Sequence, residues 1–139
     1  MSVRPEACMA CGGGPLAWSM ERVQVPFLDR ARRECVVSAD VPVARCAACG
    51  EATHPAEAAG IRHAAVCRAR GLLAPEDIVA ARRLMGMTQL ELAQATGLGI
   101  ASIRRWEGGT ATQTVANDRA LRWALGDSGA MLRRRLARG

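Results

Sequence analysis

Two short helices joined by a glycine turn are predicted for residues 88–109, and no other part of the 139-residue chain restricts the fold as much. Thr88 can accept a hydrogen bond at the start of the first helix, and Glu91 stands three places on, as in a capping box. Gly97 can adopt the positive φ that ends a helix abruptly, and Ala93 is small enough for a close helix crossing. The stretch therefore predicts a tightly packed helix pair.

The second helix of this pair has two chemically different faces. One face is apolar, because Ile100, Ile103 and Trp106 recur at three-residue spacing. The opposite face carries Ala101, Ser102, Arg104 and Arg105. A helix surface that is small, polar and doubly basic suits the major groove of DNA, where an arginine can donate two hydrogen bonds to a guanine edge.

The stretch resembles the helix-turn-helix of the XRE family (phage-repressor and Cro-like), whose pattern is T-Q-x-x-L-A…G…I-x-x-W/L-E-x-G. The resemblance implies a phosphate contact by Gln89 and a structural salt bridge between Arg82 and Glu107. It also implies that the base-facing positions are Ile100, Ala101 and Arg105. The expected DNA-binding residues are therefore Gln89, Ile100, Ala101, Ser102, Arg104 and Arg105. The alternative is a generic pair of packed helices, which the agreement at so many positions disfavours.

Two Cys-x-x-Cys pairs, each followed by glycine, are separated by 34 residues in the first half of the chain. Two residues between thiolates let both sulfurs reach one metal ion, and the following glycine permits the positive φ that such a turn needs. Two turns complete a tetrahedral site for one structural zinc ion, with the expected ligands Cys8, Cys11, Cys46 and Cys49. A catalytic zinc is not expected, because four thiolates leave no position for water. A dithiol redox pair and a chance grouping of cysteines are the alternatives.

The formal net charge is +6, and all the basic residues are arginines. Residues 75–139 hold ten arginines against six acidic residues, whereas residues 1–74 hold nine against seven, so the positive excess is larger in the second half. This balance favours a polyanionic partner. The chain has neither a long apolar run nor a secretion signal, so we expect a cytoplasmic protein with no membrane partner. Thiols stay reduced in the cytoplasm, so the six cysteines indicate metal binding rather than disulfides. Cys35 and Cys67 lie outside the paired pattern and are expected to be small buried hydrophobic residues.

The chain is predicted to have an α+β fold with two domains. Residues 1–70 are expected to form a small β-rich zinc-binding module covered by a helix at residues 55–70, with strands at 16–25, 34–38 and 41–45 and with Pro26 and Pro42 as breaks. Residues 71–139 are expected to form an all-α domain that contains the helix-turn-helix. Its five helices are predicted at residues 75–86, 88–97, 100–107, 114–125 and 129–137.

The order of these parts resembles the MqsA/YgiT-type antitoxins over nearly the whole chain. In that family the zinc is structural, the N-terminal domain neutralises an mRNA-cleaving, RNase-like toxin, and the C-terminal domain dimerises on a palindromic operator and represses its own operon. Arg105 falls on a base-reading arginine of the family, whereas Ala101 stands where the MqsA antitoxin has asparagine, so the operator sequence does not carry over.

Two other classes of function remain open. One is a stand-alone zinc-ribbon and XRE transcription regulator without a toxin, including coactivators of the multiprotein-bridging type. The other is an enzyme that uses its thiols in redox chemistry. We expect no enzyme, because the sequence offers no nucleophile–base pair, no phosphate-binding loop and no open metal site.

Overall fold

The structure is a computed structural model that describes residues 4–126, and it confirms the predicted α+β fold. The elements in chain order are β1 (Leu16–Leu28), β2 (Glu34–Cys46), β3 (Ala52–Thr53), α1 (Ala56–Ala69), α2 (Pro75–Leu84), α3 (Gln89–Thr96), α4 (Ile100–Glu107) and α5 (Val115–Leu125). The chain divides into two compact units, residues 1–66 and 67–139. The division falls inside α1, a few residues before the boundary that the sequence suggested at Gly71.

The first unit is built on a long antiparallel hairpin. β1 and β2 pair without interruption from Leu16 opposite Cys46 to Leu28 opposite Glu34, and β3 adds a short third strand beside β2. The separate strands expected at 34–38 and 41–45 are therefore one strand, and β1 runs three residues beyond its predicted end at position 25.

The expectation that Pro26 and Pro42 break the strands is wrong. Pro42 pairs with Met20 in the middle of the hairpin, and Pro26 pairs with Val36. Proline lacks the N–H that a sheet ladder uses, so it is tolerated where one side of a strand has no partner. β1 is an edge strand, and β3 pairs only with the segment of β2 at Ala44 and its neighbour, so both prolines have an open side available.

Helix α1 covers the base of the hairpin, as predicted. Val41, Val43 and Ala58 are buried together, with Val23 and Ile61 packed against them. This apolar cluster is small for an independent unit, so hydrophobic burial alone gives it little stability. Within residues 4–66, the group of cysteines described below can add stability by cross-linking segments of the chain.

The second unit has a larger core, formed where the inward faces of α2–α5 meet. The buried members are Leu73, Ile78, Ala81, Leu92, Ala93, Ile103, Trp106, Leu121 and Leu125. Thr88 Oγ1 accepts a hydrogen bond from the Glu91 amide (3.1 Å), and Gly97 ends α3 with φ of +70°. The cap, the turn and the inward faces that the sequence predicted are therefore confirmed. The fifth predicted helix, residues 129–137, lies outside the described residues.

A buried carboxylate fixes the segment that leads into α2. Asp118 Oδ1 accepts hydrogen bonds from the Leu73 amide (2.8 Å) and from Gln113 Nε2 (3.0 Å), and Gln113 Nε2 also donates to the Leu73 carbonyl (2.8 Å). Arg122 Nε donates to the other oxygen of Asp118 at 2.6 Å. The segment at Leu73 is therefore held to α5 within the second unit.

Trp123 lies on the outer side of α5. It is 79% exposed, because Leu121 and Leu125 take the inward positions. No helix within residues 4–126 has the length and apolar character needed to cross a lipid bilayer.

Candidate metal site and DNA-binding surface

The two cysteine pairs come together in the first unit. The Sγ atoms of Cys8, Cys11, Cys46 and Cys49 all lie within 4.8 Å of one another. Cys8 Sγ lies 3.7 Å from Cys49 Sγ, and Cys11 Sγ lies 3.6 Å from Cys46 Sγ. A tetrahedral zinc ion with Zn–S bonds of about 2.3 Å requires sulfurs about 3.8 Å apart. Two of the sulfur–sulfur distances therefore match a tetrahedral ion, and all four thiols are close enough together to hold one.

Backbone turns at both pairs hold the sulfurs in place. The Cys8 amide donates to the Gly14 carbonyl (3.0 Å), and the Gly50 amide donates to the Cys46 carbonyl (2.9 Å). Gly12 and Gly50, which follow the two pairs, have φ of +82° and +74°. The positive φ expected at these glycines is therefore present.

Gly14 has a role that the sequence did not distinguish from that of its neighbours. A Cβ atom at this position would lie 2.2 Å from Cys46 Sγ and 3.3 Å from Cys11 Sγ. At Gly13, by contrast, a Cβ would have no atom within 4 Å. Only glycine at position 14 leaves room for the sulfurs to converge.

The electrostatics of the cluster favour a bound cation. Hydrogen bonds from the Gly13 and Gly14 amides, with a further one from the Cys46 thiol, lower the pKa of Cys11 to about 6. The Glu51 amide lowers the pKa of Cys49, but burial and the neighbouring sulfurs outweigh it and raise that pKa to about 12. A thiolate at one cysteine thus makes deprotonation of the next cysteine unfavourable. A cation at the centre of the cluster removes the repulsion between the two negative charges. The cluster can hold a metal ion.

The two remaining cysteines lie outside the cluster. Cys67 is buried, as predicted, and burial is the main cause that raises the pKa of its thiol, so it has little thiolate character. Cys35 is only half-buried, in β2 opposite Phe27, so the expectation of burial is met only in part.

In the second unit, α4 presents the face that the sequence predicted. Ile103 and Trp106 point into the core. The exposed residues are Ala101, Arg104 and Arg105, and Ser102 is half-buried. Ile100 is also half-buried and packs against the core, so it offers less surface than the other expected base-facing residues. The outward face is small, polar and doubly basic.

An ion pair joins α2 to α4. Arg82 Nε and Nη2 donate to the two oxygens of Glu107 at 2.6 and 3.2 Å, and the side chains are only 13% and 5% exposed. The bridge that the resemblance implied is therefore present. Gln89 Nε2 also donates to Glu107, at 2.7 Å. The phosphate contact expected of Gln89 stays a prediction.

Comparison with known proteins supports the interpretation of α3 and α4 as a DNA-binding helix-turn-helix. A family model described as helix-turn-helix matches residues 78–117, which run from α2 into α5 and cover less than a third of the chain. None of the curated proteins matches the chain. The exposed basic helix and this match together define a DNA-binding transcription regulator with an XRE-type helix-turn-helix. Beside that domain, the chain carries a four-cysteine cluster that can hold a metal ion.

Proposed function

We propose that the protein is a homodimeric, sequence-specific repressor that acts as the antitoxin of a type II toxin–antitoxin pair in the cytoplasm. The observation that carries the proposal is the outward face of α4, where Arg104 and Arg105 are exposed beside the small Ala101. Nothing larger than a methyl group at Ala101 keeps the backbone of the helix from approaching base edges, and the methyl can contact a thymine. The ion in the cysteine cluster is one structural zinc, because four sulfur ligands close its coordination shell.

Arg105→Ala is expected to weaken binding to the preferred duplex by about 1–3 kcal/mol and to relax one base position, because the loss removes a bidentate contact to guanine. The full chain first selects its preferred sequence from a randomised duplex library, and fluorescence anisotropy then measures both proteins on it. Arg30→Ala, which removes the same charge from the loop of the β1–β2 hairpin, is the matched control. Equal affinities for Arg105→Ala and the native chain would refute the groove assignment.

A palindromic operator requires a dimer, and Trp123 supports one. Tryptophan is among the residue types enriched at protein interfaces, and Trp123 is 79% exposed on the outer side of α5. Two recognition helices about 34 Å apart would read two half-sites, and one helix alone reads few base pairs.

Trp123→Ser is therefore expected to convert a dimer into a monomer and to lower the affinity for a palindromic duplex at least about tenfold, because the second half-site is lost. Sedimentation velocity at micromolar concentration measures the association state. Met20→Ser, which changes an exposed apolar residue in the first unit, is the control. A native chain that sediments as a monomer would rule out the dimer.

The first unit offers surface to a protein partner such as a toxin. The end of the hairpin next to its connecting loop leaves Val36 61% exposed and Leu28 42% exposed. Apolar side chains in such a group are typical of an interaction site. Co-expression with the neighbouring reading frame tests this role. We expect that frame to encode a small RNase-like protein that arrests growth when it is expressed alone. We also expect this protein to co-purify with the chain through residues 1–66. A neighbour without toxicity or binding would leave a stand-alone regulator instead.

A further inference from the structure

The two adjacent arginines on α4 differ in how their side chains are held. Arg105 Nη2 donates a hydrogen bond to Ser102 Oγ at 3.2 Å, across one helical turn. The guanidinium of Arg104 has no hydrogen-bond or ion-pair partner within residues 4–126. One arginine is therefore oriented before any duplex arrives, and its neighbour is not.

The backbone of Arg105 is fixed as well. Its carbonyl accepts hydrogen bonds from the Thr110 amide at 3.0 Å and from Thr110 Oγ1 at 3.4 Å. The chain can turn back in this way because Gly109 adopts φ of +74°. Arg105 is thus held at its main chain by Thr110 and at its guanidinium by Ser102.

A guanidinium has five N–H donors, and a single bond to Ser102 leaves four of them. Two donors suffice for guanine O6 and N7, which form the commonest specific contact between arginine and DNA. A long side chain that is ordered beforehand loses less freedom on binding.

We propose that Ser102 is a positioning residue that orients Arg105 toward a guanine, so that one G·C pair in each half-site is read through the two residues together. Arg104, which has no such support, contacts the phosphate backbone and adds affinity without sequence preference. The inference rests on the proposed DNA-binding function. It adds that one recognised base pair is G·C and that Ser102 makes the recognition of this pair selective.

The test uses the full chain and duplexes that the native protein selects from a randomised library. Anisotropy then measures binding to the selected duplex and to the three substitutions of each selected guanine. Ser102→Ala is expected to weaken binding to the selected duplex roughly fivefold and to reduce the preference for guanine at one position. Ser102→Thr keeps the hydroxyl and is expected to restore both within about twofold.

A double-mutant cycle separates positioning from a direct contact. In the Arg105→Ala background, adding Ser102→Ala is expected to change nothing, because no guanidinium remains to be oriented. Arg104→Ala is the neighbouring control and is expected to weaken selected and unselected duplexes alike. Thermal melts of all variants check that the domain stays folded.

Each contrary outcome has a distinct meaning. A Ser102→Ala effect that is equal on every duplex, or that persists in the Arg105→Ala background, would overturn the positioning role. A selected sequence with no dependence on Ser102 would do the same and leave the proposed function intact. A native chain that selects no sequence would overturn the proposed function, and this inference with it.

Discussion

Cys46→Ala is expected to unfold the first unit and to leave the helix-turn-helix domain folded. Cys46 ends β2 and belongs to the four-sulfur cluster, while the apolar cluster of that unit has only three buried members within the described residues. Structural zinc sites contribute about 10–16 kcal/mol of apparent binding free energy, which is more than so small a core can replace. The second unit has its own larger core, so it is expected to stay folded without the metal.

The measurement combines metal content with circular dichroism and DNA binding. Native protein is expected to hold one zinc per chain and to lose its sheet signal when a strong chelator removes it. Cys46→Ala is expected to hold no zinc and to show the helical signal alone, with affinity for the selected duplex retained. A metal-free protein that keeps the native sheet would refute the structural role of the ion.

Two glycine variants test the packing of the metal site while all four sulfurs are kept. Gly14→Ala places a Cβ 2.2 Å from Cys46 Sγ, so it is expected to lower zinc affinity and the stability of the sheet. Gly13→Ala is the matched control in the same loop, because its Cβ would meet no atom within 4 Å. Equal zinc affinity in the two variants would contradict the packing of the sulfurs around Gly14.

Features set by neighbouring residues were predictable from the sequence. The thiol pairs, the cap at Thr88 and the turn at Gly97 each depend on a few consecutive residues, and all are present. The inward placement of Ile103 and Trp106 follows from helical periodicity. These features include the four candidate metal ligands and the exposed face of α4.

Features set by distant partners were not predictable in the same way. Whether Pro42 breaks a strand depends on where β3 stops pairing, and β3 was not expected from the sequence. The bond between Asp118 and the Leu73 amide spans 45 residues, so no local pattern announces it. The hydrogen bond from Arg105 to Ser102 is short-range but was not predicted either, because it depends on side-chain rotamers rather than on spacing alone.

The partners of the protein depend on properties outside the chain. The sequence and the fold define an exposed α4 and a site that can hold a metal ion, whereas the base sequence that α4 recognises also depends on the DNA. Recognition of a base pair is a difference in free energy between competing duplexes.

Glu107→Ala is expected to destabilise the helix-turn-helix domain by about 3–5 kcal/mol, which is the cost of leaving one partner of a buried ion pair without the other. Arg82 is only 13% exposed and would keep only its hydrogen bond to the Met87 carbonyl (2.9 Å). Gln89 would also lose its acceptor. Domains have total stabilities of about 5–15 kcal/mol, so this loss is a large fraction.

Urea titration of the zinc-loaded chain measures the effect through tryptophan fluorescence, to which Trp106, buried next to Glu107 in the sequence, contributes together with Trp18 and Trp123. Glu91→Ala removes the same charge from an exposed position in the first turn of α3 and is expected to lower the free energy of unfolding by no more than about 1 kcal/mol. The double variant Arg82→Met with Glu107→Leu removes both charges and is expected to regain most of the stability, because apolar residues can replace a buried pair. If Glu107→Ala matched Glu91→Ala, the pair would not hold the three helices together. DNA affinity of the double variant then separates stability from recognition, because Gln89 would lack its anchor while α4 stays folded.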